Sequence, residues 1–120
     1  MFLSKEAILS ADDKIIEEVE VSEWGGTVRL KSLTGAQRDK YEAAIVDMKG
    51  KDPKIKLEDL KVRLLALCIV DEQGDRIFGD SKEDLQALGS KNAKIINRLF
   101  ERCQSICGMT TKDVEELEKN

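Results

Sequence analysis

The sequence predicts an α+β fold, a mostly helical single domain with an N-terminal β-hairpin, and two patterns carry this prediction. Residues 14–33 alternate apolar and polar side chains on both sides of Gly25-Gly26, which is typical of two antiparallel strands joined by a tight turn. After residue 34 the apolar residues recur at spacings of three and four, which is typical of amphipathic helices. Charged residues make up 37% of the chain, a share that suits helices with solvated outer faces.

The length of 120 residues favours one domain, and no Pro/Gly/Ser-rich linker divides the chain. We expect residues 1–12 to form an N-terminal arm, either extended or a short helix, and residues 13–120 to form the domain. Within that domain the hairpin takes residues 14–33, and helices follow it to the C-terminus.

The second strand of the hairpin has two distinct faces. Val28 and Leu30 share one face, and Thr27, Arg29 and Lys31 share the other. We therefore expect the valine and the leucine to face the core. Gly25-Gly26 can supply the positive φ angles that a tight turn requires.

Two helices are predicted after the hairpin, and Pro53 separates them. The first begins at Thr34, which has capping-box spacing with Gln37, and it ends at Gly50. The buried stripe of the second helix consists of Leu57, Leu60, Leu64 and Leu67.

The apolar run at 64–70 should lie in the centre of the core, because it is apolar on all sides. An acidic turn is predicted at 71–75. Residues 76–78 are then expected to pair back onto residues 68–70 as a short second hairpin.

Three further helices are predicted towards the C-terminus. Ser81 caps a short helix, and Ser90 caps a longer one. A last, weaker helix begins at Thr110 and carries Val114 and Leu117. The apolar stripe of the longer helix comprises Ile95, Ile96, Leu99, Phe100, Cys103, Ile106 and Cys107.

Charge and hydropathy exclude several classes of partner. The net charge is −4, whereas nucleic-acid binding relies on clustered positive charge. The longest apolar run is far shorter than the roughly 20 residues that span a bilayer. The N-terminus lacks the basic start and long apolar centre of a signal peptide, and the odd number of cysteines fits reduced thiols. We therefore expect a cytoplasmic protein.

The sequence contains no histidine, which excludes Ser-His-Asp and Cys-His catalytic arrangements. Cys103 and Cys107 lie at i, i+4 and could face one metal, but a structural zinc site usually requires four ligands, so we interpret both as core residues. The glycine in the acidic turn at 71–75 stands at the wrong position for a calcium-binding EF-hand loop. No catalytic residue, metal or cofactor is predicted.

Three residues are candidates for binding a partner protein: Trp24, Val114 and Leu117. Trp24 lies at the tip of the hairpin, where its ring either folds back over the domain or stands exposed as an anchor, since tryptophan is enriched at binding hot spots. Val114 and Leu117 form a thin apolar stripe, which belongs either to a partner-binding helix or to a packed tail.

Several segments together resemble the tail assembly chaperones of long-tailed (siphovirus-type) bacteriophages and prophages. The leading one is Val-Glu-Val-Ser-Glu-Trp-Gly-Gly-Thr-Val at 19–28, followed by a helix that opens after residues 32–34. The later segments are 68–78, 85–89, 97–100 and 107–110, which lead to an acidic end. The resemblance covers most of residues 13–119.

This resemblance implies a non-enzymatic role in building the phage tail. Members of the family coat the long tape-measure protein, keep it soluble and help to recruit tail-tube subunits, and they are not expected in the mature virion. The resemblance therefore implies the tape-measure protein and the tail-tube protein as partners, in the cytoplasm of the bacterial host. Self-association would suit repeated coating of a long client.

Two alternatives remain open on the residues alone. A small helical DNA-binding or regulatory module would need a basic helix, and Lys91, Lys94, Arg98 and Arg102 do fall on one helix. A small enzyme using carboxylates or Cys103 would need a reactive thiol with a lowered pKa.

Overall fold

A computed structural model of the protein describes residues 1–51 and 57–109. Over these residues the chain forms a three-stranded antiparallel sheet and five α-helices, which confirms the predicted α+β fold with an N-terminal hairpin. A short 3-10 turn, Ser22–Trp24, joins the first two strands. The elements in chain order are α1 (Lys5–Ser10), β1 (Ile16–Val21), β2 (Gly26–Lys31), α2 (Gly35–Lys51), α3 (Leu57–Cys68), β3 (Ile69–Val70), α4 (Lys82–Gly89) and α5 (Ala93–Ile106).

The sheet has the strand order β1-β2-β3, and each pair of neighbours runs antiparallel. Val19 lies opposite Val28, and Leu30 lies opposite Ile69. These four side chains share the face that packs on the core, as predicted for Val28 and Leu30, because opposed residues in a ladder point to the same side. The opposite face, called the outer face here, carries Ile16, Glu18, Glu20, Thr27, Arg29 and Lys31.

The connection between β1 and β2 differs from the predicted two-glycine turn. Gly25 has a φ of 77°, but Gly26 already pairs with Val21 at the start of β2. The backbone N–H of Gly25 donates to the carbonyl of Ser22 at 3.0 Å and closes the 3-10 turn. One left-handed glycine therefore reverses the chain, and the second glycine belongs to the strand.

The centre of the core is formed by α3 and the strand that follows it. The apolar run at 64–70 is buried there as predicted, apart from the half-buried Leu67. Tyr41 of α2 is also buried, and its hydroxyl donates to the carbonyl of Leu60 at 3.2 Å. This hydrogen bond ties α2 to α3 across a buried contact.

The helix α5 packs its apolar stripe into the same core. All the predicted stripe residues within α5 are buried, and Cys107, just after the helix, is half-buried. Burying a large aliphatic or aromatic side chain contributes about 1.5–3 kcal/mol, so this stripe is a main source of the fold's stability.

Two predicted helix starts are confirmed. Thr34 Oγ1 accepts from the N–H of Gln37 at 3.1 Å, while Gln37 Oε1 accepts from the N–H of Thr34 at 3.0 Å. Ser81 Oγ accepts from the N–H of Asp84 at 3.1 Å at the start of α4. In each case the side chain satisfies a backbone donor that the helix itself leaves unpaired.

The predicted start of α5 at Ser90 is wrong. Asn92 is the cap, since its Oδ1 accepts from the N–H of Lys94 at 2.9 Å. The Ser90 hydroxyl donates to the carbonyl of Ala87 at 2.6 Å, so Ser90 completes the last turn of α4. A sequence pattern cannot separate the two roles, because serine is suited to either position.

The acidic segment after β3 is a turn, as predicted. Asp71 Oδ1 accepts from the N–H groups of Gln73 and Asp75, and Gly74 has a φ of 85°. The chain then pairs back through a bridge between Val70 and Arg76. The predicted second hairpin is thus reduced to this bridge and one hydrogen bond, from the N–H of Ile77 to the carbonyl of Ile69 at 3.4 Å. Residues 76–78 form no strand, and β3 pairs with β2 of the main sheet.

The predicted last helix, from Thr110 through Val114 and Leu117, lies outside the described residues. The helices of the described part also lack the combination of length and apolar composition that would carry them across a bilayer.

Candidate protein-interaction site

Trp24 stands at the tip of the hairpin, at the end of the 3-10 turn. Its ring is half-buried and packs against the core. Lys91 Nζ lies 5.5 Å from the centre of the ring, within cation–π distance. The tip therefore presents a tryptophan that is held against the body of the domain and remains partly accessible.

Two ion pairs connect the hairpin to α5. Arg98 donates from its two terminal nitrogens to the two carboxylate oxygens of Glu23, at 3.1 and 3.2 Å. Arg102 Nη2 lies 2.7 Å from Glu17 Oε1. The hydrogen bonds from Arg98 stabilise the ionised carboxylate and lower the pKa of Glu23 to about 2. Both pairs are partly exposed and contribute little energy, but they set the position of the hairpin tip relative to α5.

These contacts bear on the alternative of a DNA-binding helix. Of the four cations expected on one helix, Lys91 lies before α5, which begins at Ala93, and its ammonium lies over the ring of Trp24. Arg98 and Arg102, on α5, pair with carboxylates. A recognition helix relies on cations that are available to phosphates. The arrangement therefore disfavours the DNA-binding alternative.

The three cysteines are free thiols, and two of them lie side by side. Cys68 Sγ is 3.8 Å from Cys107 Sγ, and Cys103 is fully buried. Hydrogen bonding with Cys103, together with burial, raises the pKa of Cys68. Hydrogen bonding with Cys68, together with burial, raises the pKa of Cys107. Catalytic thiols need a lowered pKa, so this cluster does not support the small-enzyme alternative.

Metal binding finds no support in the part of the chain that the structure describes. Within it, no three side chains among His, Cys, Asp and Glu are grouped closely enough to hold an ion. The carboxylate of Asp71, which opens the acidic turn, is instead used to order the turn's own backbone.

The candidate residues are not brought together within the described structure. Trp24 is placed as described above, whereas Val114 and Leu117 lie outside the described residues. One exposed feature was not predicted from the sequence: the apolar side chains of the N-terminal arm, residues 1–12. Phe2, Leu3, Ile8 and Leu9 are all exposed there. These apolar residues lie in a segment predicted to be outside the domain, and that combination could have indicated an exposed apolar surface.

Comparison with known proteins places this chain in a family. A family model described as phage tail assembly chaperone matches residues 4–120, nearly the whole chain. Neither the curated proteins nor the solved structures provide a match. Because the match extends over far more than half of the sequence, the chain belongs to the phage tail assembly chaperone family.

Proposed function

We propose that this protein is a non-enzymatic tail assembly chaperone that binds and solubilises the tape-measure protein and helps to recruit tail-tube subunits. The observation that carries the proposal is the family match over residues 4–120. The protein acts in the cytoplasm of the bacterial host and leaves the assembly before the virion matures. Its net charge of −4 helps to keep a complex with an apolar client soluble.

The client contacts Trp24 at the hairpin tip and the apolar stripe of Val114 and Leu117. Trp24 suits this role because it offers a large, partly accessible ring whose orientation is set by the core and by Lys91. Tryptophan in such a setting contributes much of the energy of a protein interface, and a pre-oriented ring loses little conformational entropy on binding.

Co-expression with the tape-measure protein, followed by co-purification, tests the proposed function. We expect the client to become soluble and to elute with several copies of this chain. A client that stays insoluble, with no protein co-eluting, would contradict the proposal. Adding the tail-tube protein to the purified complex then tests recruitment, which predicts a ternary species on gel filtration.

Substitutions test the contact residues separately from the function. Trp24→Ala and the double variant Val114→Asp/Leu117→Asp should each lower the amount of client recovered by at least about tenfold, as expected for a hot-spot contact. Lys40→Ala, at an exposed position on α2, is the matched control and should leave recovery unchanged. Circular dichroism shows whether each variant folds. If folded contact variants recover the client normally, these residues are not the contact.

A further inference from the structure

The N-terminal arm exposes apolar side chains that its own domain leaves uncovered. The exposed fraction is 103% for Phe2, 63% for Leu3, 56% for Ile8 and 75% for Leu9. The helix α1 buries no residue, although Ser4 caps it by accepting from the N–H of Ala7. A helix of six residues gains too little from its own hydrogen bonds to persist alone in water, so a packing partner would stabilise it.

The arm stands beside a groove on the outer face of the sheet. A cavity of about 690 Å³ lies between the arm, at Ile8 and Leu9, and the strands, at Ile16 and Lys31. The arm therefore forms one wall of this cavity and does not fill it.

A second cavity, of about 480 Å³, continues the groove. The two cavities share Arg29, Glu72 and Gln73 as lining residues. Its lining includes Val70 and the exposed Ile77, beside the charged residues Glu18, Arg29 and Asp71. Judged by size alone, a cavity of about 150 Å³ accommodates a benzene ring, so this space is large enough for two or three large side chains.

The exposed area of the arm matches what a specific contact requires. A fully exposed phenylalanine presents about 150–250 Å², and with the three aliphatic side chains the arm presents roughly 400–500 Å². Burying this area against an equal area of groove gives roughly 1,000 Å² in total, the lower limit for a specific interface. An uncovered apolar patch of this size is at the upper end for a monomer.

We propose that the occupant of the groove is the arm of a second copy of this chain. Each copy carries an apolar arm that its own domain does not cover, and a groove that this arm does not fill. The groove is sized for a few side chains, which suits a short arm better than a long continuous helix. Exchange of arms between copies would bury both surfaces and complete the packing of α1. The inference does not depend on the client proposed above.

The oligomeric state of the purified chain, without any client, tests this inference. We expect the mean mass in sedimentation or light scattering to rise above the monomer's 13.5 kDa as concentration increases. The arm variant Phe2→Ser/Leu3→Ser, at positions that line neither cavity, and the groove variant Ile77→Asp should each raise the apparent dissociation constant at least about tenfold. All three positions are exposed, so the fold should be retained.

Mixing the two variants gives the most decisive measurement. The arm variant keeps an intact groove and the groove variant keeps an intact arm, so the mixture should form a species of twice the monomer mass. Ile15→Ser is the matched control, because Ile15 is exposed and apolar but lines neither cavity, and it should associate as the unaltered chain does.

Three results would overturn the inference. These are an unaltered chain that remains monomeric at about 1 mM, an arm variant that associates normally, and a mixture of variants that stays monomeric. The co-purification experiment with the tape-measure protein has an independent readout, so failure of one proposal is distinguishable from failure of the other.

Discussion

Arg98 and Glu23, which are 75 positions apart in the sequence, form a bidentate ion pair that joins α5 to the hairpin tip. Glu23 is adjacent to Trp24 in the sequence, and Lys91, which precedes α5, lies over the tryptophan ring. The tip of the hairpin is therefore oriented by Arg98 of α5 and by Lys91, which precedes that helix.

This ion pair predicts a pH dependence of stability. The pKa of Glu23 is lowered from 4.5 to about 2 in the folded protein. Because the folded pKa is the lower one, the stabilisation is present above pH 4.5 and is lost as the pH falls towards 2. The urea midpoint should therefore fall less steeply over this range in Glu23→Gln than in the unaltered chain. Parallel curves for the two proteins would contradict the assignment, and Glu83→Gln, at an exposed position on α4, is the control.

The cysteines should react slowly with a thiol reagent in the folded state. The pKa values of Cys68 and Cys107 are raised, so little thiolate is present at pH 8, and Cys103 is fully buried. Alkylation by iodoacetamide should be at least about tenfold slower than for a free cysteine in solution. All three thiols should react once urea unfolds the chain. A single rapidly modified cysteine in the native protein would reopen the possibility of a catalytic thiol.

The two glycines of the hairpin connection should respond differently to substitution. Gly25→Ala places a Cβ at a φ of 77° and should destabilise the fold by about 1–2 kcal/mol through backbone strain alone, since no atom lies within 4 Å of the new Cβ. Gly26→Ala is the matched control, because its Cβ also enters open space without a positive φ, and the change should be small. Urea unfolding measures both. Equal losses of stability in Gly25→Ala and Gly26→Ala would show that the turn has another geometry.

The start of α5 can be tested by comparing two neighbouring residues. Asn92→Ala removes the side-chain oxygen that accepts from the N–H of Lys94 and should cost about 1 kcal/mol of the free energy of unfolding. Ser90→Ala should cost less, because the Ser90 hydroxyl donates to the Ala87 carbonyl at the end of α4 and caps no helix start. Thermal or urea unfolding measures both costs. If Ser90→Ala lowered the free energy of unfolding more than Asn92→Ala, the helix would start at Ser90, as predicted from the sequence.

Sequence patterns within a few residues were sufficient for much of the fold. The alternation at Val28 and Leu30 identified the core face of β2, and the spacing of Leu99 and Cys103 identified the buried side of α5. The pairing of Thr34 with Gln37 was also readable, since both partners lie within one helical turn. These features depend on the periods of the strand and the helix, which are local properties of the chain.

The sequence by itself thus determined the type and the buried side of most elements, together with membership of a recognisable family. Only the tertiary structure decided which distant elements meet: β3 beside β2, Arg98 on Glu23, and Cys68 against Cys107. It also decided that Phe2 and Leu9 of the arm remain exposed. The physical reason is that each of these outcomes depends on how whole elements dock, whereas hydrophobic periodicity records only which side of one element avoids water.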